Sequence, residues 1–192
     1  LNKGDGMKSV GFLAVMGCML VSACATLSPE QCQQADWQHI GNSDGDNGYA
    51  ATRLAQHQKS CQKAGIVADV DAYQLGYQLG LQQYCQPQTI FNKAMQGLGS
   101  VSVCPSDLQA ELRPFKQVPA AYLTAVDDLE RAEDRYDRLR DNLYFSNNLS
   151  REQYLYYRQQ LRFLRMDILD ARTEVQMRAS DVRRLKQQYQ LY

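Results

Sequence analysis

The chain has no excess of either charge to offer. Its 192 residues carry 21 basic and 21 acidic side chains, so no net field gathers nucleic acid, and an acidic or a basic partner is equally unsupported. It lacks a nucleophile elbow, a phosphate-binding loop and any paired-carboxylate motif, which leaves no catalytic set assembled in the sequence and implies no cofactor. Long apolar runs are missing too. The longest, Val10 to Val21, is about a dozen residues, short of the ~20 that cross a bilayer comfortably, and Ser28 and Pro29 soon follow it. Glycine is absent beyond Pro105, where long and charged side chains take over.

What stands at the start is a secretory signal. From Met7, Lys8 supplies the charged beginning, Val10 to Val21 the apolar stretch, and small residues precede Cys24. Val21-Ser22-Ala23-Cys24 resembles the lipobox of bacterial lipoproteins, which implies cleavage after Ala23 and acyl chains, palmitate among them, on Cys24. Several buried chains, at about 0.8 kcal/mol per CH2, anchor stably where one is marginal. Ala25 after the cysteine, rather than Asp, implies the outer membrane of a Gram-negative cell, facing the periplasm. Loss of residues 1–23 removes Lys3, Lys8 and Asp5 and leaves 19 basic and 20 acidic groups, still near neutral. The expected layout is a signal over 1–23, a lipidated tether over 24–31, a cysteine- and glycine-rich head over 32–105 and a helical tail over 106–192.

Cys32, Cys61, Cys85 and Cys104 remain in an oxidising compartment, and four cysteines allow three pairings. Three short helices are expected, over residues 29–40, 50–64 and 70–84. If the second and third fold back on each other around Gly65, Cys61 lies opposite about Tyr73. Cys85 is then a further dozen residues, or ~18 Å, away, beyond the ~7 Å that a disulfide spans. Folding around 41–48 brings Cys32 to Cys61. The expected bonds are therefore Cys32 with Cys61 and Cys85 with Cys104.

Gly41 to Gly48, with its run of Asn, Ser and Asp, is the strongest turn signal in the chain and is expected to be a loop. A calcium-loop reading fails on the count. From Asn42, Asn47 falls where the sharp-turn glycine belongs and Arg53 where the bidentate Glu should sit. His57 and Cys61, one turn apart, have the spacing of zinc ligands, but disulfides outweigh zinc in this compartment, so no metal is expected. A ligand- or glycan-binding site, or a hydrolase site, would draw on Trp37, Asp44 and His57: a Trp beside a glycine loop as a platform, and, for catalysis, His39 or His57 as a base with Asp36 or Asp44 as its orienting carboxylate. Burial of Trp37 and His57 would remove that site. Gly76 and Gly80, four apart on the third helix, each cost ~0.5 to 1 kcal/mol in mid-helix. Another backbone is therefore expected to approach there.

The ordered series Cys32, Asp36-Trp37, Ile40-Gly41, Asp44-Gly45, Gly48, His57, Cys61, Tyr73, Gly76, Gly80-Leu81, Tyr84-Cys85, Phe91, Gly97 and Val103-Cys104-Pro105 resembles an uncharacterised family of bacterial envelope lipoproteins. That resemblance implies a lipid anchor and disulfides. It brings no reaction and no ligand.

In the tail, Tyr122, Ala125, Leu129, Ala132, Tyr136, Leu139 and Leu143 keep a 3,4 spacing, and so do Tyr154, Tyr157, Leu161, Leu164, Ile168, Ala171, Val175, Arg178, Val182, Leu185 and Tyr189. Ser150 and Gln153 restart the helix with a capping box, and the short link forces an antiparallel hairpin. With the turn at 147 and 148, Leu129 faces Met166 and Tyr189 faces Ser106. Leu108, Leu112 and Phe115 are expected to cover Val182, Leu185 and Tyr189, with a kink at Pro114. The fold class expected is mostly α, a small disulfide-stapled helical head followed by a long coiled-coil-like hairpin. The function expected is that of a non-enzymatic lipid-anchored envelope protein whose hairpin contacts another envelope protein; its other contact is the membrane, and nucleic acid is not a partner.

Overall fold

The computed structural model describes residues 26–146 and 148–192. The expected signal over 1–23 and Cys24 lie outside the described residues. Among the described residues there are seven helices and no strand: α1 (Pro29–Gln33), α2 (Trp37–Asp46), α3 (Arg53–Gln62), α4 (Val70–Tyr84), α5 (Pro87–Met95), α6 (Ser106–Phe145) and α7 (Arg151–Tyr189).

Local chemistry sets the helix starts. Ser28 and Gln31 form a capping box on α1, with Pro29 in the first turn. Asp36 accepts from the His39 N–H at 3.0 Å and Asp69 from the Ala72 N–H at 2.9 Å, starting α2 and α4. Ser150 and Gln153 form the second capping box and start α7 as expected.

The Gly41–Gly48 stretch is where the structure departs most from the sequence reading. Residues 41–46 are helical, not a loop, and the expected helix over 29–40 is split by the Asp36 cap. The reason is tertiary. Gly41 and Gly45 on α2 lie against Gly76 and Gly80 on α4, and a Cβ on any of the four would come within 3.0 Å of backbone atoms of the opposing helix. At Gly41 it would meet the Tyr73 carbonyl, at Gly76 that of Gln38, at Gly80 that of Asn42 and at Gly45 that of Tyr77. The α-hydrogens thus point at carbonyl oxygens across the interface, weak bonds of ~0.5 to 1 kcal/mol each. Repeated along two turns, they and the close packing offset the helix propensity that glycine lacks. Gly48 then ends the turn at φ +71°, under the ring of Tyr84.

Two cores follow, each holding one disulfide. The first gathers Cys32, Trp37, Cys61, Ala68, Tyr73 and Tyr77, and Leu27 packs on it. Thr26 donates its N–H to Ser60 Oγ at 3.2 Å. The expected tether is therefore docked on the head from Thr26 onward. The second core joins Tyr84, Cys85, Ile90, Phe91 and Cys104 to Leu112, Phe115, Val182, Leu185 and Leu191. It is built from both sides of Pro105, so head and hairpin share it. Cys32 is bonded to Cys61 and Cys85 to Cys104.

α6 runs unbroken through Pro114 and Pro119. Each lacks an N–H and would cost ~3 kcal/mol in a bare helix, but Pro119 is fully buried and Phe115 is 1% exposed. Phe115 meets Tyr189 edge to face at 4.7 Å, and Leu108 and Leu112 join Val182 and Leu185 in the second core. The hairpin register differs from the expected one. Tyr136 OH accepts from Arg165 and Glu133 pairs with Arg172, while Tyr189 lies against Phe115 rather than Ser106. The arms are displaced by about two turns. Packing at the base sets this: Leu191 is buried in the second core, and Tyr192 exchanges hydrogen bonds with Gln88 of α5 at 2.8 and 3.1 Å. As a consequence the start of α7 outruns the end of α6, leaving Tyr154 of the seam exposed; Leu155 and Tyr156, off the seam, are exposed as well.

Candidate functional site

The residues with most capacity for chemistry meet at Asp44. It lies one turn from Gly41 on α2, so the close approach of α4 brings its carboxylate into the head, where it is 5% exposed. Its Oδ1 accepts from Arg53 Nε at 3.1 Å. Its Oδ2 accepts from the Tyr73 hydroxyl at 2.8 Å and pairs with His57 Nε2 at 2.7 Å. Three side chains from two other helices thus converge on one buried carboxylate.

His57 is 3% exposed and its Nδ1 has no hydrogen-bond partner among the described residues. A proton on Nε2 lets the ring donate to Asp44. Burial, followed by donation to Asp44, holds the Tyr73 hydroxyl well above its usual range. Burial and then the Asp44 charge raise Tyr77 as well, whose hydroxyl donates to the Tyr49 carbonyl at 2.7 Å. The Arg53 guanidinium lies 3.8 Å over the Tyr49 ring, on the outer side of the cluster.

This arrangement ties three helices together. α2 supplies Asp44, α3 Arg53 and His57, and α4 Tyr73. It fastens α3 to the tightly packed α2–α4 pair, while the Cys32–Cys61 bond ties α3 to α1. Catalysis or ligand capture would need an approach to His57 or to the Trp37 face. Trp37 is 8% exposed and lies in the first core with the disulfide, and the His57 imidazole is closed off. The structure thus brings Asp44 and His57 together and sets Trp37 in the adjoining core, with all three side chains buried. His39 is exposed and Asp36 is occupied as a helix cap. Cys24 lies outside the described residues.

Arg53 and Tyr73 were not legible as partners of Asp44. The signal that could have found them is positional: a carboxylate in register with a pair of glycines four apart is drawn inward with them.

Residues 36–117 match the sequence model of a family described as a protein of unknown function, DUF2799. The matched span opens on the Asp36 cap and closes just beyond Phe115, so it holds both glycine pairs, the Asp44 cluster and the part of α6 that enters the second core. No curated protein and no solved structure matches the chain.

Away from the head, the hairpin offers surface rather than a cavity. A groove of about 500 Å³ between the arms is lined by Glu133, Tyr136, Asp137, Arg165, Ile168 and Arg172. Glu133 and Arg172 pair across the arms, Asp137 pairs with Arg140 along α6, and Arg165 donates to the Tyr136 hydroxyl. Asp127 with Arg131 and Asp134 with Arg138 pair along α6, contributing only ~0.3 to 0.5 kcal/mol each.

Proposed function

We propose that this is a lipid-anchored cell-envelope protein without enzymatic activity, held by acyl chains on Cys24 in the outer membrane of a Gram-negative cell and facing the periplasm. Its hairpin is the working part, a contact surface for another envelope component. The observation that carries the reading is the closure of the Asp44 cluster: the one buried histidine and carboxylate pair among the described residues is spent on holding helices together. The hairpin, by contrast, stands on a core shared with the head, and its arms of 40 and 39 residues reach ~60 Å at 1.5 Å per residue. Docking of Thr26 and Leu27 on the head supports the anchored arrangement. Only Ala25 would separate the acylated Cys24 from the folded part, so the head would sit within ~10 Å of the lipid surface.

Mass spectrometry of the protein extracted from membranes tests this. A peptide beginning at Cys24 with the added mass of acyl chains is expected, together with partition into the detergent phase. An unmodified Cys24, or recovery in the aqueous phase, overturns the anchored reading.

A further inference from the structure

Exposed apolar side chains run along α7, through Phe163, Met166, Leu169 and Met177, and at the free end of the hairpin they are joined by exposed aromatic residues of both arms. Tyr144 and Phe145 at the end of α6 are 72% and 78% exposed, and Tyr154, Leu155 and Tyr156 near the start of α7 are 43%, 55% and 56% exposed. Five large apolar or aromatic side chains thus stand exposed at this end of the hairpin. Arginines are interleaved with them. Arg151, Arg158, Arg162 and Arg165 recur at spacings of seven, four and three, which places them along one flank of α7. Arg151, Arg158 and Arg162 have no carboxylate partner among the described residues, and Arg165 is held by the Tyr136 hydroxyl. Arg158 lies 5.7 Å from the Tyr154 ring, and a groove of about 390 Å³ opens between Tyr144, Tyr154, Arg158 and Arg162.

Charge is sorted along the hairpin to match. From residue 138 to 166 there are six arginines against Asp141 and Glu152, and Asp141 is paired with Arg140. From Asp167 onward acids and bases again alternate along α7, through Asp170, Glu174 and Asp181. The positive field is therefore local to the free end, although the chain as a whole is neutral.

We propose that this end is a docking surface for an anionic phospholipid bilayer. The aromatic and Leu side chains enter the boundary between headgroups and acyl chains, and Arg151, Arg158 and Arg162, spread among them over roughly the first 16 Å of α7, extend their charged heads to headgroup phosphates. Tyrosine bodies with a polar tip, and arginine stems with a charged head, suit a medium that is apolar on one side and wet on the other. The shape favours lipid over protein. Two helix ends, each ~10 Å across, present a few hundred Å², below the ~800 Å² per partner of a stable protein interface. Nucleic acid would need the positive stripe to continue down the arm, and it stops at Arg165 and Arg172, where the latter is already paired with Glu133. This deepens the envelope reading by naming a lipid surface as what the hairpin meets. It does not depend on acylation of Cys24.

The test places a reporter at the end itself. In the full chain carrying Tyr156→Trp, the introduced indole is exposed while the native Trp37 is buried. Vesicles containing phosphatidylglycerol should shift emission of the introduced indole to the blue and, when made with brominated lipid, quench it. Vesicles of phosphatidylcholine alone should do so weakly, and 0.5 M salt should weaken both. Adding Arg158→Glu and Arg162→Glu should reduce the apparent affinity for anionic vesicles by about thirtyfold or more, with the helical signal in circular dichroism unchanged. Emission from the introduced indole that does not respond to anionic vesicles overturns the proposal, even if the protein floats with them through Cys24. So does equal quenching in neutral vesicles or in the charge-reversed variant. A shift as large with soluble heparin as with vesicles would overturn it as well, reassigning the surface to a polyanion.

Discussion

Replacing Gly76 by Ala sets two effects of opposite sign against each other. On helix propensity alone the change stabilises α4 by ~1 kcal/mol. In the structure the new Cβ would come within 3.0 Å of the Gln38 carbonyl carbon and oxygen and the Asn42 nitrogen, all of them backbone. No rotamer relieves such a clash, so α2 and α4 must part by about 1 Å or more. Overpacking of this kind costs ~1 to 3 kcal/mol. A 0.5 to 1 Å gap also forfeits about a quarter to a half of the dispersion attraction along the interface. The same movement lengthens the bond from Tyr73 to Asp44, now 2.8 Å, and weakening a buried hydrogen bond costs a further ~1 to 3 kcal/mol. After the propensity gain, a net loss of about 2 to 4 kcal/mol is expected. Trp37, at the first turn of α2 and buried, is the single native indole and reports on this interface directly. Urea unfolding followed by its fluorescence should show the midpoint falling by about 1 to 2 M, at ~2 kcal/mol per M. As a comparison, Gly65→Ala meets nothing within 4 Å, so its cost comes from φ +71° alone, about 1 to 2 kcal/mol. A Gly76→Ala midpoint at or above that of the parent would refute the backbone-contact account, because propensity would then have outweighed packing.

Asp44→Ala should be worse than Tyr73→Phe in the same assay, about 3 to 5 against 1 to 3 kcal/mol, since it leaves the Arg53 and His57 donors facing a void; equal losses would show that the carboxylate is not the hub. Stability should also fall in alkali. Tyr73 and Tyr77 titrate higher in the folded protein than the ~10 of an unfolded chain, so above pH 10 the unfolded state holds fewer protons and gains ground. Their contribution is fully present below pH 10 and declines as pH rises beyond it. Midpoints measured from pH 8 to 11.5 should be level and then drop, with a shallower drop in Tyr73→Phe; an identical drop in that variant would assign the loss to other groups.

Much of this architecture is local and so can be read from the chain. The 3,4 spacing from Tyr122 to Leu143 and from Tyr157 to Leu185 dictates two long helices. Ser150 with Gln153 dictates where the second begins, and the step from a glycine-rich to a glycine-free composition marks the start of the hairpin. The cysteine pairs follow from reach, because a disulfide tolerates so few Cα separations. Other features needed the tertiary structure. Asn, Asp and Gly in 41–48 favour turns when each is taken alone; only the presence of Gly76 and Gly80 on a facing helix makes Gly41 and Gly45 helical, since the gain comes from backbone contact between distant segments. Asp44 looked like a loop residue open to ligands for the same reason, and the helix turned it inward onto Arg53, His57 and Tyr73. The hairpin register was decided at its base, where Phe115 meets Tyr189 and Leu191 is buried, rather than at the turn from which it was counted. That displacement is what leaves Tyr154, a seam residue, uncovered at the free end. Periodicity specifies which face of a helix is apolar, whereas the position of one helix along another depends on side chains that meet across the whole fold.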